Sequence, residues 1–363
     1  MEPIGLYLHV PFCARKCAYC DFYSVTDPSQ MDAYVAETVR RLRGLTLTAD
    51  TLYFGGGTPS LLGERRLAAL LDAARPLLTS DAEITVEINP GDAAERLIPA
   101  LAAAGVNRVS LGMQSHVNAE LALLTRRHIA ADVDRAVAAA VQNGIPHISL
   151  DVMLATPGQT DATLRDTLAY AAQSGADHVS AYLLKIEPGT PFARDEAALH
   201  LPDEAETADR YLAAVAQLEA AGFAQYEISN FARPGGQSRH NLKYWRDEEY
   251  LGLGPAAHSY YKGARFFFPR DLAAYLNGGD PVPDGPGGSF EEYAMLRLRL
   301  REGLSFSEAA ARFPAEAASL DRMRSRAAAY EANGLLLLTP ERVALTPRGF
   351  LVSNALIGAL LIP

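Results

Sequence analysis

The stretch "HVPFCARKCAYCDFYS", residues 9–24, holds every cysteine in the chain, at positions 13, 17 and 20. Thiolates are soft ligands, and a Cys-x3-Cys-x2-Cys loop can wrap three of them around a compact metal centre. Structural zinc asks for four ligands, commonly as two spaced pairs. Three thiolates in one loop suit a 4Fe–4S cluster better, with one iron left free of protein and open to a substrate or cofactor. On spacing alone two alternatives stay open: a zinc knuckle completed by a distant histidine, and three buried thiols with no metal. An odd, clustered cysteine count excludes a disulfide framework and suits a reducing cytoplasm.

The loop follows "LYLHV" (6–10), the first of six short β-branched or aromatic runs. The others are "TLYFGG" (51–56), "ITVEIN" (84–89), "RVSLGMQS" (108–115), "HISLDVML" (147–154) and "HVSAYLL" (178–184). Between them lie stretches such as "RRLAALLDAARPLL" (65–78) and "DVDRAVAAAVQNG" (132–144), with apolar residues at helical spacing and a Gly or Pro stop. Six strand–helix units predict parallel strands joined by right-handed crossovers. They are too few for a closed eightfold barrel, so the expected fold is α/β, a partial (β/α)6 TIM-type barrel. In such barrels the chemistry sits at the C-terminal strand ends. Polar or glycine-rich positions recur there: Gly55 to Thr58, Glu87 with Asn89, Gln114 with Ser115, and Asp151.

A chain of 363 residues exceeds one ordinary core, which predicts the barrel plus a smaller domain. The net charge of −10 argues against nucleic acid as a partner, because counterion release needs a basic face. The N-terminal "MEPIGLYLHVPFC" lacks a basic region followed by an apolar run, so no leader is expected. No run approaches the ~18 apolar residues of a membrane span, and a cytoplasmic location is expected. The apolar tail "FLVSNALIGALLIP" (350–363) is broken by Ser353, Asn354 and Gly358 and predicts a helix docked on a core.

The helix–strand rhythm gives way at "GFAQYEISNFARPGGQSRHNLKYWRDEEYLGLGPAAHSYY" (222–261), which is long for a structureless loop and is therefore read as functional. A Gly/Pro-rich break, "NGGDPVPDGPGG" (277–288), precedes two helical patterns (291–303 and 320–334) and two short strands, "LLLLT" (335–339) and "RVALT" (342–346). Helices followed by a hairpin resemble a winged-helix module. The expected organisation is a barrel over 1–222, an extension over 223–276 and a C-terminal α+β winged-helix-like domain over 289–363.

"CARKCAYC" (13–20) resembles the signature loop of radical S-adenosylmethionine (SAM) enzymes, and "GGGTPS" (55–60) resembles that family's glycine motif. The likeness narrows to the oxygen-independent coproporphyrinogen III oxidase-like family. It is carried by "YLHVPFC", "FGGGTPS", "VEINP", "SLGMQS", "LTRRH", "TPGQT", "IEPGT", "YEISNFA", "HNLKYW" and "LGLGPAAHS", in order over residues 7–259. The resemblance implies that Cys13, Cys17 and Cys20 hold a 4Fe–4S cluster whose fourth iron is chelated by SAM. It implies SAM contacts at Tyr7, Tyr19, Gly56, Gly57, Thr58, Glu87, Gln114, Arg126 and Asp151. Their chemistry suits that ligand: Glu87 or Asp151 can accept from ribose hydroxyls or the ammonium group, and Arg126 can pair with the carboxylate.

Two features separate branches of the family. Oxidases of this type carry a fourth cysteine two positions after the third, where this chain has Phe22. "HNLKYW" (240–245) resembles the motif of the family's haem chaperones. That branch implies haem as bound cargo, delivery to apo-haemoproteins such as respiratory enzymes, and no oxidase activity. The alternative function is an oxygen-independent coproporphyrinogen III oxidase. His240 and His258 are the candidate haem ligands, with Trp245 packing on the porphyrin and Arg233, Arg239 or Lys243 near its propionates. A homodimer formed on cluster assembly is compatible with the family.

Overall fold

The computed structural model describes residues 2–91 and 94–362; Met1, Asp92, Ala93 and Pro363 lie outside these. The six expected strands are present as β1 (Ile4–Val10), β2 (Ala49–Gly56), β3 (Leu78–Ile88), β4 (Arg108–Gln114), β5 (His147–Leu154) and β6 (His178–Leu183). Each pairs parallel with the next. The intervening helices include Met31–Arg43, Gly63–Ala74, Ala94–Ala103, Ala130–Gln142 and Asp161–Gln173. Strand alternation sorts the residues into two faces. Leu6, Leu8 and Val10 are wholly buried in the core. On β2–β6 the opposite face presents Tyr53, Thr85, Glu87, Ser110, Asp151 and Ser180 to one cavity. Small closed barrels fill this space with apolar layers; here the lumen is polar.

The barrel does not close on itself. At one edge β6 pairs antiparallel with β8 (Asn230–Ala232), which is followed by β7 (Ala224–Gln225). At the other, β1 pairs parallel with β9 (Tyr250–Leu253), and β10 (His258–Tyr261), β11 (Ala264–Phe267) and β12 (Val282–Pro286) continue antiparallel. One sheet of twelve strands results. The segment 222–261, expected as an irregular functional loop, thus supplies strands to both barrel edges. The Gly/Pro break at 277–288 contains the outermost strand. All five residues of β12 are exposed, and two are prolines, which an edge strand tolerates because one side of its ladder has no partner.

Between the two edge extensions, the short helix Arg239–Trp245 lies beneath the barrel. Ser238 caps it by accepting from Asn241 N, and Glu83 of β3 accepts from Arg239 N (3.1 Å) and His240 N (3.0 Å). A carboxylate at a helix start satisfies donors that have no partner within the helix.

The C-terminal part carries β13 (Leu304–Ser305), β14 (Leu336–Leu338) and β15 (Arg342–Leu345) in the antiparallel order β13-β15-β14. The helices Phe290–Arg297, Phe306–Arg312 and Ala317–Glu331 surround them. The apolar tail forms the helix Ser353–Leu361, which buries Leu356, Ile357 and Leu360 and packs on Ala317–Glu331. Asp247, its side chain wholly buried, accepts from Arg312 Nη2 at 2.7 Å and so ties this part to the barrel extension. No helix among the described residues is long and apolar enough to cross a membrane.

Candidate functional site

The three thiols lie in the loop that leaves β1, at the C-terminal end of the barrel, each partly exposed and none in a disulfide. The loop base is pinned by backbone hydrogen bonds from Cys13 N to Val25 O (3.0 Å) and Val25 N to Pro11 O (2.8 Å). The glycine motif after β2 is bonded to the same base, Gly57 N to Val10 O and Thr58 N to Phe12 O, both at 2.8 Å. A Cβ on Gly57 would lie 2.7 Å from Phe12 O and 2.8 Å from Val10 O, so only glycine permits this approach. Gly56, at φ +105°, leaves room for the His9 ring. His9 is neutral, its pKa lowered to about 4 by burial. Its Nε2 faces Tyr23 O at 3.0 Å, an acceptor only, so Nε2 carries the proton and Nδ1 accepts from Tyr7 OH at 3.1 Å.

Thiols and strand ends share one cavity of about 360 Å³. Cys13, Cys17, Cys20, Tyr19, Gly56, Gly57, Thr58, Glu87, Gln114, Arg126 and Asp151 all line it. Tyr7 does not: it stands behind the wall, against the rings of His9, Tyr53 and His240. Cys13 Sγ lies 3.4 Å from Thr58 Oγ1. Arg126 holds the opposite side. Its Nη2 donates to Asn89 Oδ1 (2.7 Å) and Gly112 O (2.9 Å), and its Nη1 to Tyr19 OH (3.3 Å) and toward Cys17 Sγ (3.6 Å). Its buried Nε has no partner among the described residues. Gln114 sits at φ +66° where the β4–β5 register shifts; a non-glycine residue held there stores strain, as binding-site residues often do.

Among the described residues no three His, Cys, Asp or Glu side chains are gathered tightly enough for a single metal ion. The donor set fits a larger centre: three soft ligands in one loop, a glycine cradle with no room for a Cβ, and a guanidinium beside one thiol. Anionic thiolates around a polynuclear centre are compensated by such a fixed positive charge.

Glu87 accepts from Tyr53 OH (2.8 Å) and Gly56 N (3.2 Å), and Asp151 accepts from Ser110 Oγ (3.0 Å). Burial, followed by the Asp151 charge, raises the Glu87 pKa to about 8. Burial also raises that of Asp151 to about 6 against its hydrogen bonds. At neutral pH the pair therefore keeps a proton. The folded form holds it to higher pH than the unfolded chain, whose glutamate titrates near ~4.3. Stability from this group is thus lost as pH rises from about 4 to about 8. Glu87→Gln should be more stable than wild type at pH 8, by up to about 4–5 kcal/mol at ~1.4 kcal/mol per pKa unit, with the difference vanishing near pH 4. A pH-independent difference in melting temperature would disprove the trapped proton.

The haem candidates do not come together. His240 is 1% exposed. Its Nδ1 meets Thr51 Oγ1 at 2.7 Å and its Nε2 meets Tyr244 OH at 2.7 Å, while its ring stacks on Tyr53. Burial, then Lys243, lowers its pKa to about 3. Both ring nitrogens of His240 are thus engaged inside the barrel floor. Trp245 packs in an apolar cluster with Tyr226, Leu242 and Leu300 rather than on an open surface. His258 is exposed on β10 and stacks on Phe267 at 5.3 Å. Phe22 is 64% exposed at the cavity mouth.

Several lining residues escaped the sequence reading: Tyr53, Ser110, Gly112, Arg108 and Asn241. The first three continue, at a spacing of two, the inward face that the strand ends already marked. Arg108 opens the same alternating face of β4, and Asn241, within "HNLKYW", reaches the cavity only through tertiary packing.

Two family models match the chain: the radical SAM superfamily over residues 7–171 and the HemN C-terminal domain over residues 290–352. The haem chaperone HemW of Mycobacterium tuberculosis (strain H37Rv) is 41% identical over 382 residues, covering 99% of this chain and 95% of its own. HemW of Bacillus subtilis is 35% identical over 375 residues, covering 98% of each. Among solved structures, coproporphyrinogen III oxidase (HemN) from Escherichia coli, a radical SAM enzyme, superposes with a TM-score of 0.84 at 21% identity, over 99% of this chain and 90% of that one. At that identity the likeness is one of fold.

Proposed function

The chain belongs to the HemW family of radical SAM proteins, and from that premise we propose that it is a haem chaperone, which binds haem and hands it to apo-haemoproteins such as respiratory enzymes. The observation that carries this function is the near-full-length similarity to proteins named as haem chaperones, 41% over 99% of the chain. Phe22 at the cavity mouth, where an oxidase of the family is expected to carry a fourth cysteine, points the same way.

In the proposed site Cys13, Cys17 and Cys20 hold a 4Fe–4S cluster, with SAM beside it along the strand ends. When bound, the cluster and SAM supply one-electron chemistry. Gly56, Gly57 and Thr58 give backbone access for the ligand's amino-acid end. Arg126, with its unpartnered Nε, pairs with a carboxylate. Glu87 and Asp151 accept from hydroxyl or ammonium groups, and Gln114 and Tyr19 close the sides. Tyr7 acts from behind by fixing the His9 tautomer, which holds the thiol loop through Tyr23 O. For haem, His258 is the better axial ligand of the two histidines because its ring is exposed and His240's is not.

Hemin titrated into anaerobically reconstituted protein should give a saturable Soret shift. With reductant, SAM and coproporphyrinogen III, no protoporphyrinogen should form. Absence of hemin binding would reject the chaperone function; product formation would establish the oxidase instead.

A further inference from the structure

We propose that the floor of the barrel lumen binds a carboxylate, held by Arg108 and Thr85 beneath the site already described. Arg108 is 2% exposed and lies at the start of β4. Its Nε donates to Glu83 Oε2 (2.9 Å) and its Nη2 to Gly236 O (3.1 Å) and Gln237 O (3.0 Å), but its buried Nη1 has no partner among the described residues. Thr85, 1% exposed, stands opposite it in the β3–β4 register, and its Oγ1 is also buried without a partner. Both residues line the cavity that the thiols open into, and so does Asn241. Two buried polar atoms without partners among the described residues, on register-paired neighbours that both line one cavity, are an unusual expense in a folded protein.

The surroundings favour a monoanion. Glu83 meets Arg108 through Nε and not through Nη1, and its oxygens also take Arg239 N and His240 N. His178 is neutral, its pKa lowered to about 3 by burial and then by Arg108. Its ring nitrogens are engaged by Ser149 Oγ (2.6 Å) and Tyr226 OH (2.9 Å). Glu87, two residues above Thr85, keeps its proton at neutral pH and does not repel an anion. One guanidinium already paired with Glu83 cannot compensate a dianionic phosphate. A carboxylate places one oxygen on Arg108 Nη1 and the other on the Thr85 hydroxyl. The rest of the ligand then points up the lumen toward Glu87 and Asp151. The occupant is a small aliphatic acid, or the carboxylate arm of a larger molecule reaching down the barrel.

The site is independent of haem binding and is tested without it. Sodium propionate is titrated into reconstituted protein saturated with SAM and followed by saturation-transfer NMR. Saturable binding in the millimolar range is expected, at least about tenfold tighter than for propionamide, the uncharged isostere. Thr85→Val should weaken it about fivefold. Arg108→Lys should abolish it; because that change can unfold the barrel, the isosteric Thr85 variant decides. Binding of propionamide as tight as propionate, an unchanged Thr85→Val, loss of the signal when SAM is present, or no saturable signal would each overturn the site, the last leaving ordered water as its occupant. A second titration with hemin present identifies the source: competition assigns the carboxylate to a propionate arm, and its absence to a free acid.

Discussion

Alanine in place of any one of Cys13, Cys17 or Cys20 is expected to lower bound iron and labile sulfide at least about tenfold after reconstitution and to remove the broad 4Fe–4S absorption. No substitute ligand exists, since the chain has no other cysteine. The protein should nonetheless stay folded. All three residues are only partly buried, and the loop is anchored by backbone bonds at Val10, Phe12, Cys13 and Val25 that the thiols do not make. Melting temperatures of the cluster-free variants should therefore stay close to that of cluster-free wild type. SAM binding should fall with the cluster, because Cys13, Cys17 and Cys20 line the same cavity as Arg126, Glu87 and Asp151. A single-alanine variant that kept a stoichiometric cluster would refute the three-thiol assignment.

What the sequence made legible follows from how local each signal is. The six barrel strands were readable because each is six to eleven residues of apolar alternation bounded by Gly or Pro. The cavity edge was readable because Glu87, Gln114 and Asp151 break that alternation at the end where barrel chemistry sits. The strands from 224 to 267 are two to four residues long, too short for a period to show, and β8 and β9 join them to the distant edges β6 and β1. The surroundings of "HNLKYW" were hidden for a different reason. A histidine among aromatics reads as a porphyrin pocket, but the same composition also fills a barrel floor. The contacts with Thr51, Tyr53 and Glu83, more than 150 residues away in sequence, place it in the floor.

That placement yields an opposed pair of results for the two histidines. His240→Ala should cost about 3–5 kcal/mol of stability, because it opens a cavity against Tyr7, Tyr53 and Tyr244. It also strips the buried Thr51 and Tyr244 hydroxyls of their partner. The surviving folded protein should still bind hemin, since both ring nitrogens of His240 already hold hydroxyl partners. His258→Ala should leave the melting temperature nearly unchanged, because the ring is exposed and its one ring contact is with Phe267. It should, however, weaken hemin at least about tenfold and change the Soret position, as loss of an axial ligand does. The two measurements separate folding from ligation for each residue. If His240→Ala instead kept wild-type stability and lost the Soret shift, the floor helix would have to open to expose the imidazole, and a haem-ligating role for His240 would return. If neither variant altered the Soret band, the axial ligand would lie elsewhere, and neither histidine would belong to the haem site.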